Sequence, residues 1–249
     1  MMLKKIIILL LFIASMVTAN TTVEQKTNKH KWIEIAEHIY LIYSDDGHGT
    51  GFAVKDEKGR VFIVTNRHVC GFKGASMTLK DHLGNEYPVT KRWISRTTDL
   101  CAIEAPISAI PLNMAKSVEV GAKFITAGYP LVRFMSQHEG HVIGIQTEDS
   151  HIVHQIPQDL SNDMCSNVGS IIEVVENKKS YRLCKVLLAD IAITDLYIGG
   201  GASGSPIVDA QTHEVIGVLF GGRQIGFSLV LGSFIQVKDL RTFLNAISN

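Results

Sequence analysis

The chain has 249 residues, 46% of them hydrophobic and 19% charged, and its 24 basic and 24 acidic residues cancel to a formal net charge of zero. These figures fit one large globular domain or two small ones. They give no basic excess for nucleic acid and no acidic tail, and six prolines without a low-complexity run leave no long linker.

The first residues, MMLKKIIILLLFIASMVTAN, read as an export signal. Lys4 and Lys5 form a basic start, Ile6 to Ile13 an apolar core, and Val17 and Ala19 suit cleavage after residue 19. The core falls short of the roughly 20 residues that span a bilayer. No stable membrane anchor is therefore expected after cleavage, and the mature chain is expected to be secreted or periplasmic. Residues 20–39 form an N-terminal segment, with a short helix predicted over 31–38 (KWIEIAEH).

From residue 40 onward the pattern is strand after strand. Short apolar, β-branched runs recur between glycine-containing turns: 40–44, 51–55, 61–66, 100–105, 123–129, 140–146, 170–176, 183–193, 205–209, 214–220 and 232–237. Such spacing predicts an all-β sandwich or barrel. After the last run, Val237, Leu240, Phe243, Leu244 and Ile247 recur at helical spacing, which predicts a C-terminal helix with one buried face.

An oxidising compartment permits disulfides, and four cysteines allow three pairings. Cys165 and Cys184 flank a polar, turn-rich stretch and are the pair expected to form a disulfide, which would staple a hairpin. Cys70 and Cys101 are either free, buried small hydrophobes or a second pair. No CxxC is present. His138 and His141 fall in HEGH rather than HExxH, and His151 and His154 lack an acidic ligand cluster, so no metal and no cofactor is expected. Trp32 and Trp93 read as packing anchors, and His48 as a turn residue near the expected cleft.

Three segments carry chemistry together. In GTGFAVKDEKGRVFIVTNRHVC (49–70), His68 stands just past a strand. In RTTDLCAIEAP (96–106), Asp99 precedes one. In TDLYIGGGASGSPIVD (194–209), Ser203 follows a run of glycines. A serine hydroxyl needs an adjacent base to become a nucleophile. Histidine suits that task, and a buried carboxylate fixes its tautomer. Glycines before the serine let backbone N–H groups converge on a developing oxyanion.

These segments resemble those of the chymotrypsin-fold serine peptidases, in the order His, Asp, Ser. They are most similar to the exported HtrA/Do-like proteases. That group shows a GSG strand leading to VTNxHV, a DxAxxxI-type segment, a GNP turn before a GxVS strand, and TDAAINxGNSGGP. Here the counterparts are GTG then VTNRHV, DLCAIEA, GYP (128–130) before GHVIGI (140–145), and TDLYIGGGASGSP, in register over about 49–220.

The resemblance implies two six-stranded antiparallel barrels, about 40–115 and 120–236, closed by a helix over about 237–247. It implies His68 as general base, Asp99 as its orienting acid and Ser203 as nucleophile. The N–H groups of Gly201 and Ser203, with or without that of Ala202, would form the oxyanion hole. Tyr197, Ile198, Leu219, Phe220 and Gly221 become candidates for the pocket ahead of the cut. With Tyr197 where an acidic residue would select Lys or Arg, that pocket is expected to take an apolar or small side chain. Asp195 is a rival acid, in a pair whose role in the family is structural.

Two departures stand out. Ala202 replaces the usual Asn or Asp before the nucleophile, and Ser205 replaces a glycine. The expected partner is a protein or peptide substrate, with no nucleic acid; the residues fix no oligomeric state. The expected activity is that of a serine endopeptidase lacking the PDZ module common in the group. The alternative is a protease-fold binding or chaperone-like protein with little or no turnover.

Overall fold

The computed structural model describes residues 35–248, apart from 45–46, 71–75, 96, 131–133, 147–149, 157–168, 177–178, 189–190, 197–198 and 226–228; of residues 44, 150–156, 169–176, 179–188, 223–225 and 229–230 only the backbone is described. The expected signal over 1–19, Trp32, Cys165, Tyr197 and Ile198 lie outside the described residues. The chain divides into two units at residues 37 and 38. Of the first, residues 35–37 are described, and 35–36 are helical. Everything below concerns the second.

Its first half builds β1 (Ile39–Ser44), β2 (Gly47–Lys55), β3 (Val61–Thr65), β4 (Met77–Lys80), β5 (Glu86–Pro88), β6 (Lys91–Ile94) and β7 (Cys101–Glu104). They hydrogen-bond in the order β5-β4-β1-β2-β3-β7-β6. β5 and β6 are the two halves of one bent strand. At the bend, Val89 N–H still reaches the Met77 carbonyl at 3.1 Å, while Thr90 N–H already reaches the Glu104 carbonyl at 2.9 Å. The ring of six strands thus closes through a covalent corner just after Pro88, which has no N–H to offer a ladder. The short runs of β4 to β6 did not stand out in the sequence, since they carry lysine, arginine, glutamate and half-exposed side chains.

The second half builds β8 (Lys123–Gly128), β9 (Ser136–Gln146), β13 (Ile191–Thr194), β14 (Pro206–Asp209), β15 (Val215–Ile225) and β16 (Leu229–Gln236). These close into a barrel in the order β13-β16-β15-β14-β8-β9. Between β9 and β13, β10 (Ser150–Ile156), β11 (Gly169–Glu176) and β12 (Lys179–Leu188) form a separate sheet, order β10-β12-β11. The run expected over 183–193 is therefore two strands, β12 and β13. Cys184 sits on β12; its expected pairing with Cys165 lies outside the described residues.

Barrel one is filled from within by Ile42, Ala53, Ile63, Leu79 and Ile103 among others, and barrel two by Phe124, Ile207, Leu219 and Phe234. Phe52 and Phe62 lie on the opposite face of β2 and β3 from Ala53 and Ile63, outside barrel one. Phe52, Phe62, Phe124 and Phe234 are fully buried, and each such ring contributes about 2–3 kcal/mol by leaving water. Phe62 also meets Trp93 edge-on at 5.5 Å.

The connector stitches the halves together. Leu112 N–H bonds the Ala53 carbonyl of barrel one at 2.8 Å, and Ala115 N–H bonds the Val215 carbonyl of barrel two at 2.9 Å. The helix α1 (Val237–Ser248) buries Val237, Leu240, Phe243 and Leu244, as its periodicity predicted, and leaves Ile247 at its edge. From α1, Arg241 Nη2 donates to the carbonyls of Met114 at 2.7 Å and Ala115 at 2.8 Å. At the far end of α1, Ser248 accepts from Lys58 Nζ at 2.9 Å, so the helix grips barrel one as well.

Candidate active site

His68 lies in a turn directly after β3. Val69 and Cys70 N–H both return to the Asn66 carbonyl, at 3.2 and 3.1 Å, which ends the strand and turns His68 out of the sheet. Asp99 approaches from the start of β7, and the two segments are laced together. The Asp99 carbonyl accepts from Arg67 N–H and from Asn66 Nδ2, each at 3.1 Å. Its carboxylate takes His68 twice: Oδ1 accepts the backbone N–H at 3.0 Å, and Oδ2 meets Nδ1 at 2.7 Å. A disulfide between Cys70 and Cys101, with Cα atoms 6.3 Å apart and both residues fully buried, locks the same segments two residues further on. The pairing that the sequence left open is thus settled.

The Asp99 side chain is fully buried and that of His68 is 29% exposed. Burial pulls the imidazole toward its neutral form, but the Asp99 charge and hydrogen bond outweigh it. The His68 pKa is raised above its ordinary 6.5. With Nδ1–H committed to Asp99, the neutral ring carries its basic lone pair on Nε2.

Ser203 sits in a tight turn between β13 and β14. Ser205 N–H returns to the Ala202 carbonyl at 3.0 Å. Gly201 and Gly204 adopt φ of +91° and +86°, the left-handed region where a side chain is strained. At Gly204 a Cβ would also run into the Thr50 carbonyl and the Thr65 hydroxyl. The Ser203 hydroxyl donates to the Phe220 carbonyl at 3.3 Å. Phe220 is the extra residue of a bulge in β15, where the pairing with β16 shifts between Leu219 and Gly221. The bulge re-aims that carbonyl.

Gly49 marks where the histidine and serine segments converge. A Cβ there would lie 2.6 Å from the Val69 methyls and 3.1 Å from the Ser203 carbonyl oxygen. Next to it, Thr50 ties the serine turn down. Its N–H donates to the Ser203 carbonyl at 2.8 Å and its hydroxyl to the Gly201 carbonyl at 2.9 Å; the same Oγ1 accepts from Tyr129 N–H at 2.9 Å. Thr50 and Tyr129 were not singled out in the sequence. The Ala202 N–H turns back to the Gly199 carbonyl at 3.3 Å, which removes it from any oxyanion hole. The N–H groups of Gly201 and Ser203 have no acceptor among the described residues.

The remaining candidates fall as follows. Asp195 accepts from His141 N–H at 2.7 Å and meets its Nδ1 at 3.1 Å, so it serves β9 rather than His68. Burial acts to raise the Asp195 pKa, but these bonds hold it below the usual value. His138 meets the Ser136 hydroxyl at 3.2 Å. Leu219 is buried under the serine turn, and its carbonyl accepts from Gly204 N–H at 2.7 Å. It lines a cavity of about 30 Å³ with Ala202, Leu196, Thr126 and Ser205, among others. The Thr126 and Ser205 hydroxyls are buried there without a hydrogen-bond partner among the described residues. Phe220 and Gly221 are partly exposed on β15 beyond it. Among the described residues, no group of three or more His, Cys, Asp or Glu is placed to hold a metal.

Comparison with known proteins identifies the fold and the family. Solved structures with the same fold include a mutant of Rv3671c from M. tuberculosis in its inactive form (TM-score 0.60, 18% identity, 87% of this chain and 89% of that one). The active form of that protease aligns at TM-score 0.59, with 18% identity over 86% of this chain and 82% of that one. The serine endoprotease from Yersinia pestis aligns at TM-score 0.56, with 13% identity over 85% of this chain and 63% of that one. No curated protein sequence matches significantly. The family model of the trypsin-like peptidase domain matches residues 49–218, from Gly49 within β2 through the serine turn to β15; His48, expected in a turn, lies in β2 as well. On that match and this fold, the chain belongs to the trypsin-like peptidase family.

Proposed function

We propose that this trypsin-like peptidase is an exported serine endopeptidase working through an acyl-enzyme, with His68, Asp99 and Ser203 as its triad. The observation that carries the reading is the double hold of one buried carboxylate on His68, beside a tight turn, with Gly201 and Gly204 at positive φ, that presents Ser203. Export is supported by the N-terminal signal pattern and by a disulfide, which persists in oxidising compartments such as the periplasm or the medium.

The chemistry runs as follows. His68 Nε2 takes the Ser203 proton as Oγ, swung away from the Phe220 carbonyl, attacks the substrate carbonyl carbon. The oxygen that becomes negative is met by the N–H groups of Gly201 and Ser203. Asp99 stabilises the imidazolium. The C–N bond then breaks, His68 gives its proton to the leaving amine, and the acyl group stays on Ser203. A water repeats the sequence: His68 takes its proton, the acyl–oxygen bond breaks, and Ser203 recovers its hydrogen.

A fluorophosphonate probe with peptide mapping tests this directly. The expected result is an adduct on Ser203 and none in Ser203→Ala. A folded protein that takes no adduct would refute the reading and leave a protease-fold binding protein, a role with which Ala202 and the Ser203–Phe220 hydrogen bond are consistent.

A further inference from the structure

The turn that carries His68 is held at both ends. Asn66 to Cys70 make a single helical turn, since Val69 and Cys70 N–H both return to the Asn66 carbonyl. Its front is tied to Asp99 by Arg67 N–H, His68 N–H and Asn66 Nδ2. Its back ends on the Cys70 carbonyl, which, like the last carbonyls of any helix, has no partner inside the turn. Cys70 is fully buried, and a buried carbonyl needs a donor. Among the described residues no backbone N–H supplies one. Arg92 does: its Nη1 donates to the Cys70 oxygen at 2.6 Å.

The arginine stands where the sheet pattern calls for an apolar residue. Arg92 pairs with Ile103 across β6 and β7, and Ile103 belongs to the core of barrel one. Paired residues share a face, so Arg92 holds an inward register position. Its neighbour Trp93 faces the other way, onto Phe62. Partly buried, the guanidinium gives up water to reach one carbonyl. A cation at the C-terminal end of a helical turn satisfies the orphan oxygen and meets the negative end of the peptide dipoles. A charged donor also makes the stronger kind of hydrogen bond.

One hairpin supplies three holds on the turn. β6 and β7 pair from Lys91 with Glu104 to Ile94 with Cys101. Asp99 stands in the connection between them, which is closed by Ser95 N–H on the Leu100 carbonyl and by Thr97 and Thr98 N–H on the Ser95 hydroxyl. Asp99 takes the front of the His68 turn. Cys101 takes the Cys70 side chain through the disulfide, and Arg92 takes the Cys70 carbonyl. The disulfide fixes where Cys70 sits but leaves its peptide plane free to rotate. Arg92 fixes the plane.

We infer that Arg92 is a positioning residue for His68, acting through the Cys70 carbonyl to orient the imidazole toward Ser203. The inference rests on the protease reading above and adds to that site a residue that never meets the substrate.

Arg92→Met keeps the length of the side chain and removes the donor. The expected result is a kcat lower by about 10²-fold, the order that a misplacement of about 1 Å costs, with KM within about twofold. Arg92→Lys returns a charged donor and recovers most of that loss. The His68 ring is followed by NMR at one fixed pH, through its Nδ1–H proton and both ¹⁵N shifts. These move in Arg92→Met and return toward the wild type in Arg92→Lys. A role confined to stability would lower the unfolding midpoint and leave the ring shifts and the kcat of folded protein as they were. Should Arg92→Met not stay folded, Arg92→Gln, whose amide stops short of the carbonyl, takes its place with the same expected results. Unmoved His68 shifts in the folded variant, or a lysine variant no better than the methionine one, overturn the inference and leave the protease reading standing. If the wild type shows neither turnover nor a Ser203 adduct, the protease reading fails, and the His68 shifts alone decide the positioning.

Discussion

Thr50→Val is the most informative single change. It swaps a hydroxyl for a methyl of the same shape at a fully buried site. Two groups lose their partner: the Gly201 carbonyl and the Tyr129 N–H, each now 2.9 Å from Thr50 Oγ1. A buried polar group left unpaired costs about 1–3 kcal/mol. If the turn holds its shape, the loss is about 2–6 kcal/mol in stability, read from urea unfolding. If the turn relaxes instead, the peptide joining Gly201 to Ala202 rotates, and the oxyanion donors move with it. Stability then falls little, and kcat falls by about 10²–10³, the cost of one misplaced donor. Thr50→Ser keeps the hydroxyl and is the control. A Thr50→Val protein within about 0.5 kcal/mol and twofold in kcat of the wild type, measured on the same peptide, would refute the role assigned to this residue.

Four further outcomes are expected. The log of kcat/KM rises with pH as His68 loses its proton, with a midpoint above the ordinary 6.5; Asp99→Asn moves that midpoint down and lowers kcat by about 10⁴, and an unmoved midpoint would detach Asp99 from His68. Because the His68 pKa is raised by folding, its contribution to stability is full below about 6.5 and is lost as pH climbs through the folded value, so the protein gains stability where it loses activity. Replacing Cys70 and Cys101 by Ala opens a loop with a sequence separation of 31 and costs about 3–4 kcal/mol; calorimetry showing no change would contradict the link. Ser205→Ala removes a buried hydroxyl that has no partner among the described residues and is neutral or stabilising by up to about 1 kcal/mol; a clear loss in thermal unfolding would show that the hydroxyl is held.

The barrels were legible because their core strands are apolar, β-branched and separated by glycine turns, as in β2, β3 and β8. Local patterning marks such strands by itself. It does not mark β5 and β6, where charged, half-exposed residues make a strand only because β4 and β7 are there to receive them. The triad candidates were legible for a different reason: His68, Asp99 and Ser203 each stand in a short motif. Thr50 has no such signal. Its bonds reach 79 residues to Tyr129 and 151 to Gly201, and nothing local in GTG announces them. The Cys70–Cys101 pairing was open for the same reason, since spacing alone does not fix connectivity.

The order in which the barrel closes has a consequence in time. By residue 203 the ribosome has made every side chain that the chemistry requires. Yet β13 has no second neighbour until β16 is made, the Phe220 bulge lies further on in β15, and α1, whose Arg241 clasps the connector, follows both. A chain made N-terminus first thus carries its proposed catalytic groups for a while without the scaffold that aligns them. For a protein exported as proposed, hydrolysis begins only after the closing strand and its helix have docked.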